Sequence, residues 1–180
     1  MSAERPVVLI GPMGAGKTAV GKRLATKLGL PFRDTDEAIV AAHGPIEAIF
    51  AEHGEPWFRE REAEAVAEAL AAGGVIAPGG GAVLHDGTAA GLREHDAVVV
   101  LLEVDRETVA ARLVGGRRPL LAGGGIAEWE RIMEARRPRY AEVATLRIDT
   151  SGRSVEAIVA ELVGRLRPAQ PGSSTGSEGN

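Results

Sequence analysis

The stretch GPMGAGKT, residues 11–18, follows the apolar run VVLI and constrains the fold more than any other feature of the chain. It satisfies the pattern G-x-x-x-x-G-K-[ST], which connects a strand to a helix and surrounds an anion with backbone N–H groups at the helix N-terminus. We predict that this loop holds the phosphates of a nucleotide. Lys17 would reach the β- and γ-phosphates, and the Thr18 hydroxyl would bind Mg²⁺. The predicted nucleotide-binding residues are Gly14, Ala15, Gly16, Lys17, Thr18 and Ala19.

Short β-branched runs alternate with longer amphipathic stretches along the rest of the chain. Strands are predicted at 6–11, 30–34, 74–81, 96–104 and 145–150, and helices at 17–29, 36–43, 46–53, 56–72, 106–113, 127–140 and 154–167. This alternation predicts a doubly wound α/β fold, with a mainly parallel sheet of about five strands and helices on both faces. We expect one domain over 1–167 and a disordered Pro/Gly/Ser-rich tail at 168–180.

Composition excludes several classes of function. The net charge of −4 argues against a nucleic-acid surface, and the absence of cysteine excludes disulfides and thiolate metal sites. The apolar runs are shorter than the ~20 residues of a membrane span, and the first strand begins too early for a signal peptide. We therefore expect a cytoplasmic monomer with no nucleic-acid or membrane partner.

The carboxylates Asp34 and Asp36, in the sequence DTD, end the second predicted strand and should lie at the ligand-binding edge of the sheet. One could hold Mg²⁺ through water while the other accepts the proton of a substrate hydroxyl. The ordinary alternative for Asp36 is a helix N-cap.

Two further groups lie near the same edge. Arg59 and Glu62 are three residues apart on one helix face, so that a solvated ion pair is the simple alternative to a ligand site. The glycines 79–81 follow a strand, either as a plain turn or as backbone that approaches a ligand closely.

Arginines supply the remaining candidates. Arg117 and Arg118 occupy a glycine-rich segment, 113–126, which is typical of a hinged lid that brings positive charge to a transferring phosphoryl group. Arg136, Arg137 and Arg139 are expected near a helix C-terminus, where the helix dipole favours cations, so that one or two of them should be structural.

Taken in order, the motifs GPMGAGKT, DTD, FRERE, PGGGAV, RRPLL, ARRPRY and RIDT resemble those of the shikimate kinases, over residues 6 to about 167. The resemblance implies a P-loop kinase fold with a substrate-binding segment at about 34–62. It also implies transfer of the γ-phosphate of ATP to the 3-hydroxyl of shikimate, with Mg²⁺ as cofactor.

The resemblance also implies roles for individual residues. Asp36 would bind the acceptor hydroxyl as the base, with Lys17 and Arg118 as its catalytic partners, while Thr18 and Asp34 would serve Mg²⁺. Shikimate would be held by Arg59, Gly80, Gly81 and Arg136, with Glu62 orienting Arg59 and with Phe50 and Phe58 walling the ring. Arg112 and Arg153 would flank the adenine, and either Arg117 or Arg118 could serve as the lid arginine.

Other readings remain open from the sequence. A gluconate kinase would also need an acceptor carboxylate, but FRERE with the glycine triplet fits it poorly. A nucleoside monophosphate kinase would need more basic residues for a second phosphate. A non-catalytic nucleotide-binding module would not need Lys17, Thr18, Asp34, Asp36 and Arg118 together.

Overall fold

The computed structural model describes residues 5–114 and 124–166. Within that part of the chain, the strands are β1 (Val7–Ile10), β2 (Phe32–Asp34), β3 (Val75–Ala77), β4 (Val98–Glu103) and β5 (Leu146–Asp149). They form one sheet in the order β2-β3-β1-β4-β5, and every neighbouring pair is parallel. The predicted α/β fold is confirmed.

Helices connect the strands. They are α1 (Lys17–Leu28), α2 (Thr35–His43), α3 (Ile46–Ala72), α4 (Asp86–Glu94), α5 (Arg106–Val114), α6 (Gly125–Val143) and α7 (Val155–Leu166), with a 3₁₀ turn at Ala82–Leu84. The connection from β1 to β2 runs towards one edge, whereas the later connections run towards the other. Right-handed crossovers then place helices on opposite faces of the sheet. The packing agrees, because α1 contacts α7 while α3 contacts α4.

The core lies between the sheet and these helices. Leu9, Ile76 and Leu102 have no exposed side-chain surface, and Val20 and Leu24 bury the predicted apolar face of α1 against the sheet. Burial of each such aliphatic side chain is worth about 1.5–3 kcal/mol. A small second core, made of Ile39, Ile49 and Phe58 with their partly buried neighbours, joins α2 to α3.

Three elements differ from the sequence prediction. Helix α4 was not predicted. The two helices expected at 46–53 and 56–72 are joined into α3 across a kink at Gly54, whose φ of 82° is left-handed. Helix α6 begins at Gly125 and continues to Val143, past Pro138, which lacks the N–H for one helix hydrogen bond. Within 5–114 and 124–166, no helix is long and apolar enough to cross a membrane.

Candidate active site

The phosphate loop connects β1 to α1 and depends on three glycines. Gly11, Gly14 and Gly16 have φ angles of 146°, 84° and 91°. Residues other than glycine rarely adopt these backbone conformations, which explains why the motif has glycine at these positions. Gly16 directly precedes α1, so that the loop ends at the positive end of a helix dipole.

Six consecutive loop carbonyls, from Gly11 to Gly16, accept hydrogen bonds. Lys17 Nζ donates to the Gly11 oxygen at 2.8 Å and to the Pro12 oxygen at 3.2 Å. The remaining four carbonyls accept from Trp129 Nε1 at Met13 (2.8 Å), Arg112 Nη1 at Gly14 (2.5 Å), Thr150 Oγ1 at Ala15 (3.2 Å) and the Val20 amide at Gly16 (2.9 Å). Sequence reasoning found neither Trp129 nor Thr150, since both donors come from distant parts of the chain.

Thr18 and Asp34 are in direct contact at the end of β2. The Thr18 hydroxyl donates to Asp34 Oδ2 at 3.0 Å, while Asp34 Oδ1 accepts from the amides of Asp36 and Glu37. Asp34 is therefore the N-cap of α2. The N-cap alternative for Asp36 was wrong, because Asp36 lies inside the first turn of the helix and its carboxylate is not used as the cap.

Asp36 faces the turn that follows β3. A Cβ built on Gly79 would lie 2.8 Å from Asp36 Oδ1 and would clash with Glu62 Oε1 as well. Gly79 does not have a positive φ, so glycine is required here by space and not by backbone conformation. The turn thus passes close to two carboxylates.

Arg59 and Glu62 form a largely buried ion pair on α3. Arg59 Nη1 donates to Glu62 Oε2 at 2.7 Å, and the Glu62 side chain is only 2% exposed. Burial raises the pKa of Glu62, while the hydrogen bond and charge of Arg59 oppose the rise. Burial lowers the pKa of Arg59, but Glu62 and Glu55 outweigh it, so that this pKa lies above its usual value. The solvated ion-pair alternative was wrong.

The glycine turn brings Arg59 and Arg136 together. A Cβ on Gly81 would lie 2.7 Å from Arg59 Nη1, and a Cβ on Gly80 would lie 3.0 Å from Arg136 Nη1. The same Cβ on Gly80 would lie 3.4 Å from the Gly11 carbonyl oxygen of the phosphate loop. Two guanidinium groups therefore converge beside the phosphate loop, on a turn that has no side chains of its own.

Tyr140 supports this turn from below. Its hydroxyl donates to the Gly80 carbonyl at 2.7 Å, and its side chain is 1% exposed. Burial raises the pKa of Tyr140, and the neighbouring Arg136 opposes the rise. Sequence reasoning did not assign a role to Tyr140, although it lies four residues after Arg136 and hence on the same helix face.

The three arginines of ARRPRY have different environments. Arg136 lies in the middle of α6 and faces the glycine turn, so the expected location near a helix C-terminus was wrong. Arg137 pairs with Glu134 at the surface, and Arg139 pairs with Asp86 and Glu142. These two arginines are structural, as the sequence predicted for one or two of the three.

Arg112 and Arg153 donate to the carbonyls of two adjacent residues, Thr150 and Asp149. Arg112 contacts the phosphate loop and donates to the Thr150 carbonyl at 3.4 Å. Arg153 donates to the Asp149 carbonyl at 2.9 Å and pairs with Glu161 of α7 at 2.8 Å. The predicted adenine-binding arginines are thus near each other, although Arg153 is tied back to α7.

The two phenylalanines of the predicted ring wall stack on each other at 4.9 Å between ring centroids. Phe50 is 36% exposed, whereas Phe58 is buried in the small core. Only Phe50 offers surface to a ligand; Phe58 supports it from beneath. Arg117 and Arg118, and most of the predicted lid, lie outside the described residues.

Comparison with known proteins identifies relatives along nearly the whole chain. A family model described as shikimate kinase matches residues 13–167. A shikimate kinase of Corynebacterium efficiens is 46% identical over 163 residues, covering 89% of this chain and 95% of the relative. A shikimate kinase of Salinispora arenicola is 47% identical over 162 residues, covering 88% and 96%.

Comparison with solved structures also finds a shikimate kinase. The shikimate kinase of Acinetobacter baumannii in complex with shikimate superposes with a TM-score of 0.82 at 33% identity, covering 91% of this chain and 93% of that one. A gluconokinase from Sinorhizobium meliloti superposes with a TM-score of 0.61 at 22% identity. At that identity, the second likeness shows a common fold alone.

Proposed function

Because this chain belongs to the shikimate kinase family, we propose that it transfers the γ-phosphate of ATP to the 3-hydroxyl of shikimate. The products are shikimate 3-phosphate and ADP. One observation carries the proposal: Arg59 and Arg136 converge on the glycine turn. This turn lies beside Asp36 and close to the phosphate loop.

Arg59 and Arg136 bind the carboxylate of shikimate in this proposal. A guanidinium group offers two parallel N–H donors to a carboxylate, and such charge-assisted hydrogen bonds are among the strong ones. Arg59 donates from Nη1 to Glu62 at 2.7 Å and from Nε and Nη2 to Glu55 at 3.3 and 3.1 Å, so that two carboxylates fix the direction of its remaining N–H donors. Gly80 and Gly81 bring backbone close to the ring, and Phe50 covers its apolar side.

Asp36 accepts the proton of the 3-hydroxyl as that oxygen attacks the γ-phosphorus. The new bond joins the shikimate oxygen to phosphorus, and the bond from phosphorus to the β–γ bridging oxygen breaks, which leaves ADP with that electron pair. General-base assistance of this kind typically contributes about 10²–10⁴-fold. Lys17 and Arg118 stabilise negative charge on the transferring group.

The nucleotide is held by the loop residues 14–19 and by Arg112 and Arg153 beside the adenine. Thr18 and Asp34 would hold Mg²⁺, since a hydroxyl and a carboxylate 3.0 Å apart are the hard oxygen donors that this ion takes. Bound Mg²⁺ supplies charge neutralisation of the phosphates.

The remaining expectations complete the proposal. One kinase domain spans residues 1–167, with the substrate-binding segment at about 34–62 and the lid at about 113–126. The enzyme acts as a cytoplasmic monomer, with ATP and shikimate as its small-molecule partners and without nucleic acid or membrane. The net charge of −4 supports the absence of a nucleic-acid partner.

The direct test is a coupled assay of ADP release with a panel of acceptors. We expect shikimate to give ADP at a rate far above the control without acceptor, while gluconate and a nucleoside monophosphate stay at the control rate. ADP release with gluconate and none with shikimate would reject the proposed acceptor but keep the kinase chemistry. Release that is independent of any acceptor would reject the transfer reaction.

A further inference from the structure

Trp129 connects α6 to the phosphate loop over a separation of 116 residues. Its indole N–H donates to the Met13 carbonyl at 2.8 Å, and the side chain is 6% exposed. The indole group has a single donor, and a buried donor without a partner costs about 1–3 kcal/mol. The side chain therefore has a fixed orientation, set by one backbone oxygen of the loop.

That oxygen determines the direction of a predicted phosphate-binding amide. The peptide between Met13 and Gly14 is trans, as are all the described peptide bonds. In a planar trans peptide, the C=O and the N–H point in opposite directions. Because the Met13 carbonyl points towards Trp129 of α6, the Gly14 N–H points away from that side chain.

The Met13–Gly14 peptide can rotate easily because Gly14 has no side chain, and the hydrogen bond from Trp129 restrains that rotation. Gly14 has a φ of 84° and no side chain that would limit rotation of the peptide before it. The next peptide is restrained separately, because Arg112 holds the Gly14 carbonyl. Val109 of α5 also packs 3.4 Å from the position of a Gly14 Cβ. Among the described residues, Trp129 is the one whose side chain donates a hydrogen bond to the Met13 carbonyl.

We propose that Trp129 is a positioning residue for nucleotide binding, whose indole N–H holds the Met13–Gly14 peptide in the orientation that presents the Gly14 amide to a nucleotide phosphate. In this proposal Trp129 acts through that peptide and not through a contact of its own with the nucleotide or the acceptor. This inference rests on the proposed ATP site at residues 14–19, and its effect falls on the nucleotide side of the reaction alone.

The test compares Trp129→Phe with Met133→Ala. The first variant keeps an aromatic ring and removes the N–H, whereas the second removes a buried side chain from the same helix, one turn further on. We expect Trp129→Phe to raise the Kd of ADP with Mg²⁺ and the KM of ATP about fivefold, as for one lost hydrogen bond, with an unchanged KM for shikimate. Met133→Ala should lower Tm while leaving the ADP Kd unchanged.

A second measurement removes the N–H without changing the shape of the ring. In a Trp57→Phe background, Trp129 is the remaining tryptophan of the two in the chain. Replacing it with β-(3-benzothienyl)alanine exchanges the N–H for sulfur. The ADP Kd should rise by the same factor as in Trp129→Phe. This comparison still decides the matter if Trp129→Phe fails to fold.

Three results would overturn the inference. They are a benzothienyl protein that binds ADP as tightly as its tryptophan parent, an equal loss of ADP affinity in Met133→Ala, and an equal rise in both KM values. Failure of the proposed function would look different, because the wild-type protein itself would then not bind ADP or would not phosphorylate shikimate.

Discussion

Asp36 combines an accessible position with a fixed backbone. Asp34 caps α2 by accepting from the Asp36 amide, so the Asp36 carboxylate needs no capping role and is directed towards the turn after β3. The sequence alone shows two aspartates two residues apart and does not indicate which of them is the N-cap of α2. The structure separates them by position: Asp34 caps the start of α2 through one carboxylate oxygen, and Asp36 lies in the first turn of the helix, beside the turn after β3, where we propose that it meets the acceptor hydroxyl.

We expect Asp36→Asn to lower kcat by about 10²–10⁴-fold, since the amide cannot accept the hydroxyl proton. The Kd of ADP, measured by calorimetry, should stay within a factor of about two because the phosphate loop is untouched. Glu37→Gln is the matched control: it removes an exposed carboxylate from the same helical turn and should keep wild-type kcat. A loss of ADP binding in Asp36→Asn would mean that this residue serves the nucleotide.

Glu62 is the most deeply buried charged side chain of the described residues. The family resemblance predicted that Glu62 orients Arg59. Nothing in the local sequence FRERE indicates, however, that Glu62 is buried while Glu60 is exposed. Burial arises because α3, the glycine turn and Asp36 meet at this point. That convergence depends on packing between distant segments.

The raised pKa of Glu62 predicts how stability depends on pH. Because the folded protein holds this proton more tightly than the unfolded chain, the contribution of Glu62 to stability is full below the unfolded pKa of about 4.5 and is lost as pH rises through the folded pKa. The free energy of unfolding of wild type minus that of Glu62→Gln should therefore decrease from pH 4 upwards. Urea titrations of both proteins measure it. A difference that increased with pH would contradict the assignment.

At the scale of elements, the strands and the flanks of the phosphate loop could be predicted because each has a local signature. Apolar runs mark β1 and β4, and the glycine motif marks the start of α1. Helix α4 has no such signature: DGTAAGLRE contains two glycines, and its burial rests mainly on Thr88, Ala89 and Leu92. Its helical form is stabilised by packing against α3.

The turn after β3 shows the same limit. Three glycines in sequence suggested either a plain turn or backbone that approaches a ligand closely. The structure shows that Arg59 and Arg136 pack close to this turn, while the ligand itself stays a prediction. The donors Tyr140 and Trp129 lie 60 and 116 residues from the carbonyls that they contact. No local pattern encodes contacts of that range, although the i, i+4 spacing of Arg136 and Tyr140 was a usable signal.

We expect Gly81→Ala to raise the KM of shikimate about tenfold or more, since its Cβ would displace a guanidinium that makes charge-assisted hydrogen bonds. The backbone is not strained by the change, because φ at Gly81 is −95°. The KM of ATP should not change. Gly164→Ala, in open space on α7, is the control and should leave both KM values at wild type. Equal changes in both KM values for Gly81→Ala would indicate a general disturbance of the sheet edge.

At the scale of the whole molecule, the site lies where the strand order changes direction. The phosphate loop follows β1 and the glycine turn follows β3, and these adjacent parallel strands deliver both loops to one edge of the sheet. Crevices of this kind are the usual ligand sites of doubly wound folds. Helices α3 and α6 then add Arg59 and Arg136 from segments far apart in sequence.

The most direct test of phosphate transfer is the position of phosphate in the product. Wild-type protein is incubated with ATP, Mg²⁺ and shikimate, and the product is analysed by ³¹P–¹H correlation NMR. We expect the new phosphorus signal to couple to the proton on carbon 3 of the ring, with one ADP formed per phosphorylated shikimate. Phosphate on another hydroxyl, or ADP formed without any phosphorylated shikimate, would contradict the assignment of the acceptor site.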